Sequence, residues 1–251
     1  MTIKSFILAL QFLTIITIVP RLEVSKEEFK GALAYFPVVG LILGALIAAI
    51  YWALSPMLEP EPLAALLAVG LAFLTRSLHL DGLCDTADAI GSRAEPSRAL
   101  QIMKDSAAGS LGVVAVVSVL LLKTMSMVTI CRHGAWQFLI LVPCLSRWSL
   151  VGLASMSRYA RQSDGLGTPF CGRGNYPAVI IAALSSLAAA WFLLQVLGLY
   201  LFGASVVMSV VSAAYFRARF GGVTGDCLGA HLESVETILF VAGAALWTQI
   251  G

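Results

Sequence analysis

Long apolar runs, separated by short polar stretches, set the rhythm of this chain. They fall at 33–54, 63–80, 109–130, 136–155, 178–197, 203–219 and 234–250. Crossing the hydrocarbon of a bilayer takes about 20 apolar residues in a helix. The pattern therefore predicts an all-α, polytopic membrane bundle of about seven transmembrane helices. The sixth run is short and ends in a basic stretch. Ahead of them stands "MTIKSFILALQFLTIITIVPR", which has the outline of a secretory leader. Gln11 interrupts its apolar run, and no small-x-small cleavage site appears before Pro20. It reads as a retained helix that either spans or lies in the interface. No soluble domain, internal repeat or low-complexity segment is visible, so residues 1–251 form a single domain.

Composition strengthens the membrane reading. The 251 residues are 59% hydrophobic and 12% charged, with a mean hydropathy of +0.90. A typical soluble domain carries about 25% charged residues. The net charge of +2 gives no reason to expect a nucleic-acid partner. Five scattered cysteines without CxxC spacing predict neither a disulfide framework nor a zinc site.

Charge placement orients the bundle. If residues 1–32 lie on one side, alternation puts 81–108, 156–177 and 217–233 there as well. Most Lys and Arg then share that side, including Lys26, Lys30, Arg93, Arg98, Lys104, Arg158, Arg161, Arg173, Arg217 and Arg219. Arg132 alone falls opposite, while Arg76, Lys123 and Arg147 lie within spans. The positive-inside rule makes the basic side cytoplasmic. All six aspartates fall there too, on loops rich in Gly and Arg. Glu59 and Glu61 are the acids assigned to the outer side.

The chemistry concentrates in "SLHLDGLCDTADAIGS", Ser77 to Ser92. Asp81, Asp85 and Asp88 are spaced i, i+4, i+7 and share one face of a helix. Like charges so placed repel, and a carboxylate at mid-bilayer costs about 2.5–3.5 kcal/mol. Something must offset them. Either they are solvated at a helix end, or hard oxygen ligands hold a divalent cation such as Mg²⁺. "IMKDSAAGSLG" adds Lys104, Asp105, Gly109 and Gly112, where backbone can approach a ligand and helix amides can meet phosphate. "RFGGVTGDCLGAHLESVE" adds Asp226 among Gly221, Gly222, Gly225 and Gly229, as a fourth carboxylate or a ribose or base contact. His79 and His231 read equally as site residues or as packed histidines. Arg147 is an intramembrane arginine, either meeting phosphate or pairing with an acid. Lys123 reads as a snorkelling lysine.

"LHLDGLCDTADAI", "IMKDSAAGSLGV" and "FGGVTGDCLGA", in this order, resemble the cobalamin synthase family, the adenosylcobinamide-GDP ribazoletransferases. "AYFPVVGLILG" resembles that family's FP-x-x-G-x-x-x-G element, and "GLGTPF" (165–170) and Arg147 also fall where the family has similar residues. The chain departs from the family at Arg76 and Ser77, where a Gly-containing stretch is usual. Ala89 stands where Gly is common, and Ala107 where a basic residue is frequent.

The resemblance implies a Mg²⁺-dependent enzyme of cobalamin biosynthesis in a bacterial inner membrane, with its site facing the cytoplasm. α-Ribazole or its 5′-phosphate would displace GMP from adenosylcobinamide-GDP. Displacement at a diphosphate needs charge neutralisation, in-line positioning and a proton acceptor. Asp81, Asp85, Asp88 and Asp226 are then the candidate metal ligands, with Asp81 also carrying a catalytic role. Asp105 is the candidate base or a further ligand, and Lys104 and Arg147 are candidate contacts to phosphate or leaving group. His79, Arg98, Gly109, Gly222, Thr224, Gly225 and Gly229 are the candidate substrate contacts. A homo-oligomer is compatible with this reading. Two others compete. A CDP-alcohol phosphotransferase would show an Ala-Arg pair soon after the first Asp-Gly, where Cys84-Asp85 stand. An ion-coupled transporter would show acids deep in the spans and pseudo-symmetry.

Overall fold

The structure, a computed structural model, describes residues 2–105, 107–161, 170–172 and 175–250. Asp164, most of the "GLGTPF" element and Arg173 lie outside the described residues. Among the described residues, ten α-helices follow in order: α1 (Ile3–Leu13), α2 (Lys26–Ala32), α3 (Phe36–Leu54), α4 (Pro60–Leu74), α5 (Leu78–Gly91), α6 (Pro96–Ile102), α7 (Ser110–Arg132), α8 (Gln137–Met156), α9 (Tyr176–Phe220) and α10 (Gly225–Ile250). Among the described residues, five stretches are long and apolar enough to cross a bilayer: Glu27–Leu54, Ser110–Arg132, Gln137–Met156, Tyr176–Phe220 and Gly225–Thr248. Their outward faces carry exposed apolar side chains such as Val114, Leu121 and Met125 on α7 and Ile180, Leu184 and Phe192 on α9. Surfaces of this kind belong against lipid.

One expectation changes and two are made more definite. The run at 63–80 is not one span: α4 ends at Leu74, and α5 leaves at 88° to it. Thr75 caps α4, the Arg76 N–H bonds to the Phe73 carbonyl at 2.9 Å, and the Ser77 N–H bonds to that of Ala72 at 2.8 Å. This is a Schellman closure. Arg76 (φ 54°) and Ser77 (φ 52°) both adopt left-handed backbone, which explains why a glycine-bearing stretch is usual here. Secondly, α9 breaks at Gln195 (φ 47°, ψ −127°). A Cβ on Gly198 would lie 2.6 Å from the carbonyl carbon of Ala190. Eight residues of continuous helix would separate these positions by about 12 Å. The chain therefore folds back at Gln195, and the two arms, 176–194 and 196–220, are the fifth and sixth predicted runs. Thirdly, α1 has 11 residues and is too short to cross about 30 Å of hydrocarbon.

Helix α8 is the hub. It packs against α3, α9 and α10, while α4 packs on α7 and α5 lies against α10 and α7. The α3–α8 contact uses the FP-x-x-G-x-x-x-G element. A Cβ on Gly40 would stand 2.7 Å from the Cys144 Cα, and one on Gly44 2.6 Å from the Ile140 Cα. Backbone meets backbone there, as in small-residue crossings within membranes.

At the centre of the bundle, Lys123 of α7 reaches Glu233 and Glu236 of α10, both at 2.6 Å. Arg147 of α8 pairs with Glu236, which also accepts the Ser146 hydroxyl at 3.0 Å. Lys123 is 5% exposed, and Arg147 and Glu236 are each 1% exposed. Lys123 does not snorkel. The alternatives for Arg147 are resolved in favour of an acid partner, and that acid comes from α10. Two cations and two anions make the cluster neutral, which is what permits its burial.

Loops assigned to one side meet one another. Arg132 pairs with Glu61 and Trp52 packs on Trp136 at 4.9 Å at one end of the bundle. At the other, Arg219 donates to the Ala94 carbonyl at 2.7 Å and Asn175 to that of Lys30.

Two stability tests follow from these contacts. Gly40→Ala or Gly44→Ala is expected to lower unfolding stability in mild detergent by about 1–3 kcal/mol, because only a backbone shift makes room for the methyl. Glu236→Gln is expected to lose about 3–5 kcal/mol, since it takes the acid partner from Arg147 and leaves two buried cations to the single carboxylate of Glu233. Wild-type denaturation midpoints in these variants would refute both contacts.

Candidate active site

The site is built where α5 crosses the start of α10. Gly82 and Gly229 form the crossing: a Cβ on Gly82 would meet the Asp226 carbonyl oxygen at 2.8 Å, and one on Gly229 would meet that of His79 at 3.1 Å. Thr224 starts α10 by accepting the Cys227 N–H at 3.2 Å, as a side-chain N-cap does. Close backbone contact brings Asp226, in the first turn of α10, beside Asp81 on α5. The extended segment after α8 completes the wall. Ala160 N–H bonds to the Val223 carbonyl and Val223 N–H to that of Arg158, both at 2.9 Å. This bridge delivers Arg161 to Asp226 at 2.7 Å.

The result is a cleft of about 170 Å³ lined by His79, Asp81, Tyr159, Arg161, Gly225 and Asp226, with Phe12, Leu150, Phe170 and Leu228 as its apolar part. Asp85 stands close by on α5, which the 88° bend turns out of the span. Its carboxyl is pushed up to about 6, first by desolvation and then by the charges of Asp81, Asp226 and Asp88; Arg161 opposes the shift. Four carboxylates thus share one field with one paired guanidinium. His79 is 3% exposed, and its Nδ1 has no hydrogen-bond partner among the described residues. Arg161 Nε is likewise without a partner among the described residues.

Asp88 has a different task. Its two oxygens accept the N–H groups of Gly109 at 2.7 Å and Gly112 at 2.8 Å. It caps α7 from the neighbouring helix, satisfying amides that the helix cannot satisfy itself and meeting the positive end of the dipole. A Cβ on Gly109 would lie 2.5 Å from its carboxylate. The close approach expected at this loop is therefore made by Asp88 rather than by a ligand, and the Gly109 amide is already taken.

Other expected contacts stand elsewhere. Asp105 and Lys104 are exposed just after α6, and Asp105 Oδ1 accepts the Ala107 N–H at 3.2 Å. Arg98 is exposed and donates to Gln101 at 3.0 Å. None of the three lines the cleft. Thr224 is fully buried and serves as a cap. Gly222 packs against the backbone at Arg158. Arg147 is held in the central ion cluster. Gly225 and Gly229 do line the cleft. His231, buried, bonds to Ser212 at 2.9 Å.

Arg161 and Tyr159 were not among the expected site residues. Arg161 lies 65 positions from its partner, and no local signal joins them. Glu233 and Glu236 were missed likewise, although a pair spaced i, i+3 inside an apolar run is itself a signal for buried cations.

Among the described residues, no three His, Cys, Asp or Glu side chains gather into a ready ion cage. The donor set is nevertheless hard, anionic and under-neutralised. Magnesium keeps much of its water and takes one or two carboxylates with substrate phosphates, rather than an all-protein cage. Asp81 and Asp85 fit that demand, with Asp226 beside them. Asp88, with both oxygens engaged, fits it less well.

A helical membrane bundle with acids and one arginine gathered in a cleft at one end is equipped to handle a charged, phosphate-bearing substrate. The chain belongs to the cobalamin-5-phosphate synthase family, whose model matches residues 5–244. It is similar to the adenosylcobinamide-GDP ribazoletransferases of Geotalea daltonii, with 36% identity over 97% of this chain and 98% of that one, and of Syntrophobacter fumaroxidans, with 37% identity over 95% and 97%. The protein of the same name from Thermoanaerobacter pseudethanolicus is 32% identical over 93% and 94%. No solved structure matches the chain.

Asp81 and Asp88, the first and last of the three acids on α5, are expected to separate in a stability measurement. Asp88→Ala should lose about 1–2 kcal/mol through the cap, whereas exposed Asp81→Ala should stay within about 0.5 kcal/mol of wild type. Equal losses in chemical denaturation would contradict the division.

Proposed function

We propose that the cleft between α5 and α10 is where this chain transfers α-ribazole, or its 5′-phosphate, onto adenosylcobinamide-GDP with release of GMP. The observation that carries the assignment to this cleft is the meeting of Asp81, Asp85 and Asp226 with Arg161, in a chain of this family. The ribazole hydroxyl oxygen attacks the phosphorus that bears cobinamide, the bond from that phosphorus to the GMP oxygen breaks, and the hydroxyl proton leaves to a nearby base. Asp81, exposed on the cleft wall, and Asp85, whose pKa is raised to about 6, supply carboxylates at that position. Arg161 can shift part of its charge from Asp226 to a phosphate oxygen, and its Nε, without a partner among the described residues, is a further donor.

Magnesium belongs to this proposal. Asp81, Asp85 and Asp226 would hold it, and it would supply neutralisation of charge on the diphosphate. The excess of carboxylates over cations at the cleft and the hardness of its oxygen donors support that reading. So does the location of the cleft at the bundle end that holds most of the basic residues, which the positive-inside rule assigns to the cytoplasm of a bacterial inner membrane. The corrin, too large for a cavity of about 170 Å³, stays outside and presents its diphosphate to the cleft.

Reconstitution with adenosylcobinamide-GDP and α-ribazole 5′-phosphate should release GMP, and chelation of divalent ions should stop the release. Asp81→Asn should insert normally and lose at least about 100-fold in kcat. Full turnover by that variant, or after chelation, would remove the carboxylates or the metal from the mechanism.

A further inference from the structure

On the other side of the Arg158–Val223 bridge lies a second cavity, of about 220 Å³, whose lining joins Ser157, Arg158, Arg217 and Gly222 to Ser155, Met156 and the small residues Gly172 and Ala213. It shares a wall with the acid cleft. The same two backbone hydrogen bonds that deliver Arg161 to Asp226 hold Arg158 and Gly222 against this second cavity. Its chemistry is the opposite of the cleft's. Among the described residues Arg158 donates through Nε alone, to the Gly221 carbonyl at 2.5 Å. No ion pair among the described residues takes up either Arg158 or Arg217. Ser157 is 8% exposed, and its buried hydroxyl oxygen has no hydrogen-bond partner among the described residues. A buried hydroxyl without a partner is unfavourable unless something completes it.

Two guanidinium groups and an unsatisfied buried hydroxyl form a donor set for a phosphate monoester, which has several acceptor oxygens and two negative charges near neutrality. We propose that this cavity is the subsite for the terminal phosphate of the acceptor, the 5′-phosphate of α-ribazole. Arg158, Arg217 and Ser157 hold it on one side of the bridge while the attacking hydroxyl reaches the acid cleft on the other. The inference rests on the transfer reaction proposed above and adds the residues that select a phosphorylated acceptor over the free nucleoside. The wall keeps the acceptor's dianion apart from the carboxylates of Asp81 and Asp226, which would repel it.

The test compares two acceptors and one binding probe. The protein is placed in phosphatidylcholine nanodiscs, and kcat/KM is measured with α-ribazole 5′-phosphate and with α-ribazole. The preference for the phosphorylated acceptor should fall about tenfold or more in Arg158→Gln and in Arg217→Gln, mainly through KM. It should fall less in Ser157→Ala and be partly restored in Arg217→Lys. Ribose 5-phosphate should raise the thermal midpoint of wild type but not that of either glutamine variant. An unchanged preference in variants that insert normally would overturn the proposal. So would a variant defect that appears only when phosphatidylglycerol replaces phosphatidylcholine, because the occupant would then be a lipid headgroup. If wild type turned over neither acceptor, the transfer reading itself would fail. Ribose 5-phosphate stabilisation, lost in both glutamine variants, would still support a monoester site, and its absence in wild type would end it.

Discussion

The arrangement depends on a neutral knot of four charges in the middle of the bundle. Lys123, Arg147, Glu233 and Glu236 come from α7, α8 and α10. Each would be intolerable alone in a low-dielectric interior, and each is tolerable because the others are in contact. Apolar side chains give helices in lipid little reason to choose one register over another, since lipid is as apolar as leucine. Ion pairs do discriminate. A slip of α10 by one residue would rotate Glu233 and Glu236 away from their cations. By fixing α10 against α7 and α8, the knot fixes where the first turn of α10 stands.

From that placement the site follows. Gly82 and Gly229 let α5 lie on the start of α10, and the sharp closure at Thr75–Ser77 lets α5 leave the line of α4. Asp88 then reaches across to cap α7, which ties α5 to α7 and leaves Asp81 and Asp85 facing Asp226. Of three acids on one helix face, the last is used for architecture and the first two stand free for chemistry. Charge is managed twice in this molecule: internally neutral in the core, and under-neutralised in the cleft. The second condition is what a cationic, phosphate-bound partner would relieve.

The two cavities separated by the Arg158–Val223 bridge divide the labour by sign. Carboxylates gather on one side with a single guanidinium. On the other stand two guanidiniums with no acid among their described neighbours. A diphosphate and its metal suit the first, and a phosphate monoester suits the second. One short backbone contact, made close by Gly222, keeps the two fields apart.

Much was legible without coordinates. Apolar runs set the membrane class, because hydropathy and length are local properties that a bilayer reads directly. The i, i+4, i+7 spacing put three acids on one face, since helical period is local too. Charge bias gathered the polar loops at one end, and Arg132–Glu61 and Arg219–Ala94 contacts respect that grouping. The motifs of the family were visible as well, down to Gly40 and Gly44. Tertiary structure alone decided the rest. Whether an aspartate faces a cleft or caps a helix depends on which amides lie opposite, as Asp88 shows. Whether an intramembrane arginine meets substrate or acid depends on the register of another helix, as Arg147 and Glu236 show. Arg161 and Asp226, 65 residues apart, become partners only when α8 and α10 are packed. Side-chain role is set by neighbours in space, and sequence spacing reports those neighbours only within a single element.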